Sequence, residues 1–274
     1  AFSAICCWQI FRFTSSKPSK SAIASDEKFI RLRTNSFVRY CLTKYTRLWM
    51  ALPEALCYNL RRDTLRNCMK GASLLLHTVH LSAHGYEADI LPERGANLAA
   101  LTRPALGLSS VRTPASLASF TTENPYLWGI PILLPPNRIS GAQFTFEGRA
   151  YRFPMNEPAI GNFIHGMLHE TPVPCVEQAA DHAVFLFRAT AEQPYMTFPH
   201  AFTLRIAFAL EEDGLHQRIT VTNDSTQNMP FALGFHTTFA LPFVQGGRVE
   251  DARLKLGVAE EIVRNMDTFL PTGE

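Results

Sequence analysis

Lysine nearly disappears from this 274-residue chain after Lys70, with Lys255 alone following it, and no acidic residue occurs before Asp26. These two gaps divide the chain. Residues 1–80 hold 13 of the 26 Lys and Arg residues but only 4 of the 24 Asp and Glu residues, a balance of +9. The remainder balances at −7, so the formal net charge of +2 conceals two unlike segments. Cysteine follows the same division: Cys6, Cys7, Cys41, Cys57 and Cys68 lie in the first segment and Cys175 alone in the second. No CxxC pair is present and the spacings make no secreted disulfide framework, which favours a reducing compartment. The apolar run near residues 72–76, like every other in the chain, is far too short for a bilayer, so no transmembrane helix is expected. There is no GxGxxG, P-loop or HExxH motif, which removes the usual nucleotide and zinc-protease signatures. Basic residues do not cluster on a nucleic-acid-binding module, so no nucleic-acid partner is expected.

Residues 1–80 show neither helical nor strand periodicity. Their opening composition, free of acids and rich in Ser, Lys and Arg, fits a transit peptide, and AFSAICCWQIF also fits a signal-like or membrane-surface stretch. The chain begins with Ala and carries an internal Met50, so translated upstream sequence is another reading, and a folded basic module a third. The expectation is a separate segment 1–80 followed by a folded domain over 81–274. Location is read as cytoplasmic, or organellar if residues 1–50 act as a transit peptide.

From about residue 84 the texture becomes strands and turns. Phe144 to Glu147 alternates apolar and polar residues, Gly148 centres a turn, and Tyr151 and Phe153 resume the alternation. Phe202, Leu204, Ile206, Phe208 and Leu210 share one strand face. Glu211 to Gly214 reads as a four-residue loop leading to a second alternating strand with Leu215, Gln217, Ile219 and Val221. Val184 to Phe187 is a further apolar run. Prolines 125, 131, 135, 136, 154, 158, 172 and 174 exclude long helices between residues 120 and 175. The pattern predicts an all-β protein, an antiparallel sandwich or barrel.

Several segments, in order, resemble the aldose 1-epimerase (galactose mutarotase-like) family. They are GYEADILPERGANLAAL (85–101), YLWGIPILLPPNRISGAQFTFEGRAYRFPMNE (126–157), GNFIHGMLH (161–169) and DGLHQRITVTNDSTQNMPFALGFHTTF (213–239). The first places Gly95 and Asn97 at a turn. The resemblance implies the family's antiparallel β-sandwich, incomplete at its C-terminal end, with 81–274 matching about two-thirds of the domain. It also implies a mutarotase acting on a small aldohexose, with no metal and no organic cofactor.

Mutarotation opens a pyranose ring and lets it close on the other face. A base takes the anomeric hydroxyl proton while an acid protonates the ring oxygen. Histidine, with a pKa of about 6.5, suits such transfers, and each positioned group contributes roughly 10²–10⁴-fold. By resemblance, His236 is the general acid toward the ring oxygen and His165 binds and polarises the same region. Arg138 matches an arginine that hydrogen-bonds sugar hydroxyls, and Asn137 orders the same loop. A guanidinium offers several fixed donors to such a ligand.

Each assignment has a plainer counterpart. His169, His182, His200 and His216 read as surface or capped residues, with His216 on the polar face of its strand. Arg138 could be a structural ion-pair partner instead. Tyr126 and Trp128 could stack on a sugar, although WGIPILLPP reads better as core and loop packing. Glu157 reads as a turn residue before Pro158, Met155 and Met229 as core filler, and Cys175 as inert.

The family's base is a glutamate near the C-terminal end of its domain, and the resemblance runs out before it, at FLPTGE (269–274). Glu274 belongs to that loop motif and is not the base. Asp251 and Asp267 fit poorly to the family's substrate-binding aspartate. The site is therefore expected to hold its acid without its base, which costs orders of magnitude in rate. A non-catalytic carbohydrate-binding protein is the competing reading. A glycoside hydrolase ranks below both, since no flanking carboxylate pair is visible. Arg112, Arg138 and Arg149 leave open a phosphate on the sugar.

Overall fold

In the computed structural model, the described residues are the backbone of 6–9, then 76–253 and 262–273. The readings of Met50, Cys41, Cys57 and Cys68, and of the 72–76 apolar run apart from its last residue, lie outside them. Among the described residues no helix is long and apolar enough to cross a membrane.

The strands, in chain order, are β1 (Cys6–Gln9), β2 (Val79–Ala83), β3 (Tyr86–Leu91), β4 (Asn97–Arg103), β5 (Leu108–Ser109), β6 (Ile132–Leu133), β7 (Arg138–Ser140) and β8 (Gln143–Phe146). They continue with β9 (Arg149–Arg152), β10 (Asn162–Ile164), β11 (Cys175–Gln178), β12 (His182–Ala189), β13 (Phe202–Glu211), β14 (Gly214–Asn223) and β15 (Leu233–His236). The described α-helix is a single turn, α1 (Ser119–Thr122), as the prolines require. All strand pairs are antiparallel. They form the sheets β2-β3-β4-β5, β11-β12-β13-β14 and β1-β15-β6, and the pairs β7-β10 and β8-β9.

The alternation read from the sequence becomes the core. In β13 the side chains of Phe202, Leu204, Ile206, Phe208 and Leu210 are all buried, while the residues between them stay half-exposed. At about 1.5–3 kcal/mol per large apolar side chain, this one face is a major stabilising element. Phe185 from β12 and Leu81 and Ile90 from β2 and β3 join the same cluster, so two four-stranded sheets share one core. The Ser82 N–H donates to Ala180 O at 2.7 Å where they meet.

The turns differ in detail from the sequence reading. The β13–β14 connection is tighter than a four-residue loop, because Glu211 already pairs with Gly214 and only Glu212 and Asp213 turn. In the β8–β9 hairpin both turn residues are left-handed, Glu147 at φ 48° and Gly148 at φ 76°. That is the geometry a two-residue loop needs to match strand twist. Asn97 is not a turn residue: it opens β4 and is buried.

Candidate functional site

The site is assembled from backbone clamps. Buried Asn97 accepts from the Ile130 N–H at 2.8 Å through Oδ1 and donates from Nδ2 to Trp128 O at 3.3 Å. The clamp leaves no room beside it, since a Cβ on Gly129 would lie 2.3 Å from Asn97 Oδ1. Residues 128–131 in turn hold the end of β15. The His236 N–H donates to Pro131 O at 3.1 Å, and the Thr238 backbone and hydroxyl both donate to Gly129 O.

A second clamp holds His165. Its N–H donates to Asn137 O at 3.0 Å, and the Asn137 N–H donates to its ring Nδ1 at 3.1 Å. Both residues have positive φ, 64° and 56°. The next residue, Gly166, is also left-handed, and a Cβ there would fall 1.8 Å from Leu134 O. The Tyr195 hydroxyl ties the same strands, donating to Leu134 O at 2.6 Å and accepting from the Met167 N–H at 3.0 Å. Asn156 brackets Ile164, donating to its carbonyl at 2.8 Å and accepting from its N–H at 2.7 Å. Non-glycine residues are kept in a costly backbone region only where surrounding contacts over-determine them.

These clamps bring His165 and His236 together, with ring centroids 5.7 Å apart and planes nearly perpendicular at 78°. Two further residues complete the cluster. The Tyr126 ring lies 4.9 Å from His165, 5.0 Å from His169 and 5.3 Å from His236. His169 therefore corrects the sequence reading: it is 5% exposed and faces the site, because a 3-10 turn (Leu168–Glu170) folds it back toward His165. The i, i+4 spacing of His165 and His169 around a glycine was the available signal. Tyr126, weighed as a sugar-stacking ring but read as loop packing, gave no sign of these contacts because it sits in an irregular loop. His200 is likewise buried, at 1%, between the Tyr151 hydroxyl (2.8 Å) and Ser225 Oγ (3.0 Å), away from this cluster's contacts. His182 and His216 are exposed and paired with Asp181 and Asp213.

Burial decides the protonation of the pair. His165 is 7% exposed, and desolvation pushes its pKa down to about 3. The positive ends of His236, Arg138 and His169 push the same way. With Nδ1 accepting from a backbone N–H, the neutral ring carries its proton on Nε2, so His165 is a fixed donor. His236 is also held below its ordinary value by desolvation, against the pull of the Tyr126 carbonyl and its own. His236 Nδ1 is buried with no hydrogen-bond partner among the described residues. Burial, then Glu170 and Glu157, push the Tyr126 phenol far above its usual range, so it stays neutral.

Arg138 meets Glu157 in a two-pronged ion pair, Nε to Oε2 at 2.7 Å and Nη2 to Oε1 at 2.9 Å. Glu157 is thus more than a turn residue. Phe269 lies 4.8 Å over the guanidinium, and Asn162 Nδ2 donates to the neighbouring Thr268 carbonyl at 3.0 Å. Arg112 stacks over Trp128 and Arg149 bonds Gln227, so each of these two arginines has a partner of its own. Cys175 bonds the Glu177 carbonyl, and burial raises its thiol pKa.

An apolar cavity of about 240 Å³ lies between Leu134–Pro136, Phe153, Phe198 and Met229–Ala232. Its walls carry no imidazole or carboxylate.

Comparison with known proteins identifies the family and the fold. Residues 77–274 match the family model described as aldose 1-epimerase. A galactose mutarotase-like protein of Clostridium acetobutylicum, solved by crystallography, superposes with a TM-score of 0.67 at 31% identity, over 73% of this chain and 61% of that one. The GalM/aldose epimerase homologue from C. elegans shares the fold, with a TM-score of 0.58 at 21% identity, covering 73% of this chain and 60% of its own. The chromosomal LacX protein of Lactococcus lactis subsp. lactis is 27% identical over 158 residues, 56% of this chain and 51% of LacX. The chain thus spans about half the length of that curated relative. With the family model covering 77–274 and the antiparallel β fold in common, the chain belongs to the aldose 1-epimerase family.

Proposed function

We propose that the His165–His236 pair is a sugar site and that the chemistry it serves is interconversion of the α and β anomers of an aldohexose. The observation that carries this reading is the edge-on pair of imidazoles 5.7 Å apart, buried His165 against half-buried His236. A pyranose ring oxygen held between them would receive a hydrogen bond from His165 Nε2–H and a proton from His236. The desolvated His236 imidazolium is a stronger acid than an exposed one, though a smaller fraction of it is charged at neutral pH. Arg138, steadied by Glu157, has Nη1 without a hydrogen-bond partner among the described residues and can reach a sugar hydroxyl. Asn137 contributes through its backbone, by fixing the His165 ring.

The reaction also needs a base for the anomeric hydroxyl. Of the described carboxylates, Glu157 is engaged by Arg138, and Glu170 stands 3.9 Å from His169 Nε2. No described carboxylate bonds His236 or His165. This favours a second reading, a sugar-binding protein with little turnover. Polarimetry of α-D-glucose and α-D-galactose, run beside a sugar titration, separates the two. Catalysis abolished by His236→Asn supports the mutarotase, and saturable binding without rate supports the binder. Neither binding nor rate would defeat both.

A further inference from the structure

We propose that Tyr126 is the positioning residue of the imidazole pair: its ring is the wedge that sets the angle between His165 and His236 and keeps water from both. The relevance to turnover rests on the sugar-site reading above; the geometry does not.

One aromatic ring here touches three imidazoles. Its centroid is within 4.9–5.3 Å of those of His165, His169 and His236, nearer to His165 and to His236 than their own rings are to each other, at 5.7 Å. Tyr126 bears on His236 twice, through its ring and through the backbone carbonyl that favours the charged imidazole. Its own placement is local: the Tyr126 N–H donates to Asn124 Oδ1 at 3.0 Å, and Gly129, three residues on, is seated on Asn97. Edge-to-face and tilted aromatic contacts at this range favour particular ring angles.

The hydroxyl is not what the geometry uses. It makes no hydrogen bond among the described residues, and the phenol stays protonated through the physiological range. The charged and titratable groups that face Tyr126 are Glu170, Glu157 and Arg94, besides the imidazoles. Those that face His165 are His236, Arg138 and His169. The three groups whose charge acts on His165 are cationic or able to become so, and none would hold a proton on it. Exclusion of water by Tyr126 therefore adds to an already unfavourable field, and loss of the ring would relieve its larger part, the desolvation.

The test uses the full 274-residue chain. In the unmodified protein, nuclear Overhauser cross-peaks are expected from the Tyr126 ring protons to the ring protons of all three histidines. Their absence overturns the proposal without any variant. Tyr126→Phe keeps the wedge and is expected to leave the histidine titrations and the pH profile of turnover unchanged. Tyr126→Leu opens the site. It should raise the His165 titration midpoint by about one pH unit or more as water enters, and lower kcat by roughly 10–100-fold through lost alignment. Unchanged titration in a folded Tyr126→Leu protein contradicts the proposal, as does a Tyr126→Phe protein that behaves like the leucine variant. The cross-peaks and titrations need no sugar. If neither sugar binding nor mutarotation is detected, the sugar-site reading fails while these arms still decide the role of Tyr126.

Discussion

Asn137 and His165 hold each other by two backbone-anchored bonds, His165 N–H to Asn137 O at 3.0 Å and Asn137 N–H to His165 Nδ1 at 3.1 Å. Each residue sits at positive φ. The strain is held in place so that one face of one imidazole is committed to the protein and Nε2–H is left pointing elsewhere. Nitrogen chemical shifts of the His165 ring should show the Nε2–H tautomer, and an Nδ1–H signal would break this assignment.

The neighbouring Gly166 is predicted to be intolerant. Gly166→Ala would add a Cβ 1.8 Å from the Leu134 carbonyl in a left-handed backbone, and should prevent folding or cost several kcal/mol. Gly148→Ala shares the left-handed φ but meets nothing within 4 Å, and should cost only about 1–2 kcal/mol. Urea denaturation of the two variants gives the comparison, and equal losses would argue against the Leu134–Gly166 contact.

Stability should depend on pH through His165. Its folded pKa is about 3 against an ordinary 6.5, so the unfolded chain binds more protons between those values. Stability is therefore complete above about 6.5 and falls as pH drops toward 3, by about 1.4 kcal/mol per unit for this group alone. His165→Asn should flatten that slope in acid denaturation. A slope unchanged by the substitution would show that His165 is not buried as described.

The Arg138–Glu157 pair is partly screened, at 16% and 22% side-chain exposure. Glu157→Leu should cost about 1–3 kcal/mol, below the cost of breaking a fully buried pair. Arg138→Lys keeps charge but loses the fork and should fall between. A double-mutant cycle measures the coupling, and a value near zero would free Arg138 from its structural role.

If His236 is the proton donor, turnover requires its charged form. Its pKa is held below 6.5 by burial, so rate should decline as pH rises through a midpoint below that value. A rate that climbs with pH across the same range would assign His236 to another role.

The strands were legible because their faces alternate with period two: Phe202 to Leu210 and Leu215 to Val221 pair register by register across β13 and β14. The Gly148 hairpin was legible from one turn residue. The His165–His236 pair rested on motif resemblance, since nothing in 71 residues of separation states that two rings will meet. The contacts of Tyr126 and His169 with the pair were not legible because they arise from loops held at a distance by Asn97 and Tyr195, and irregular backbone has no period to read. Buried His200 misled for a related reason, as its partners Tyr151 and Ser225 come from β9 and from the bend after β14.

One sugar is expected to meet both imidazoles. Titrating the chain with D-galactose or D-glucose while following histidine ring resonances tests this directly. Saturable shifts of both His165 and His236 with a single shared Kd, while exposed His182 and His216 stay still, is the predicted result. Resonances of His165 and His236 that do not respond to either sugar would contradict it.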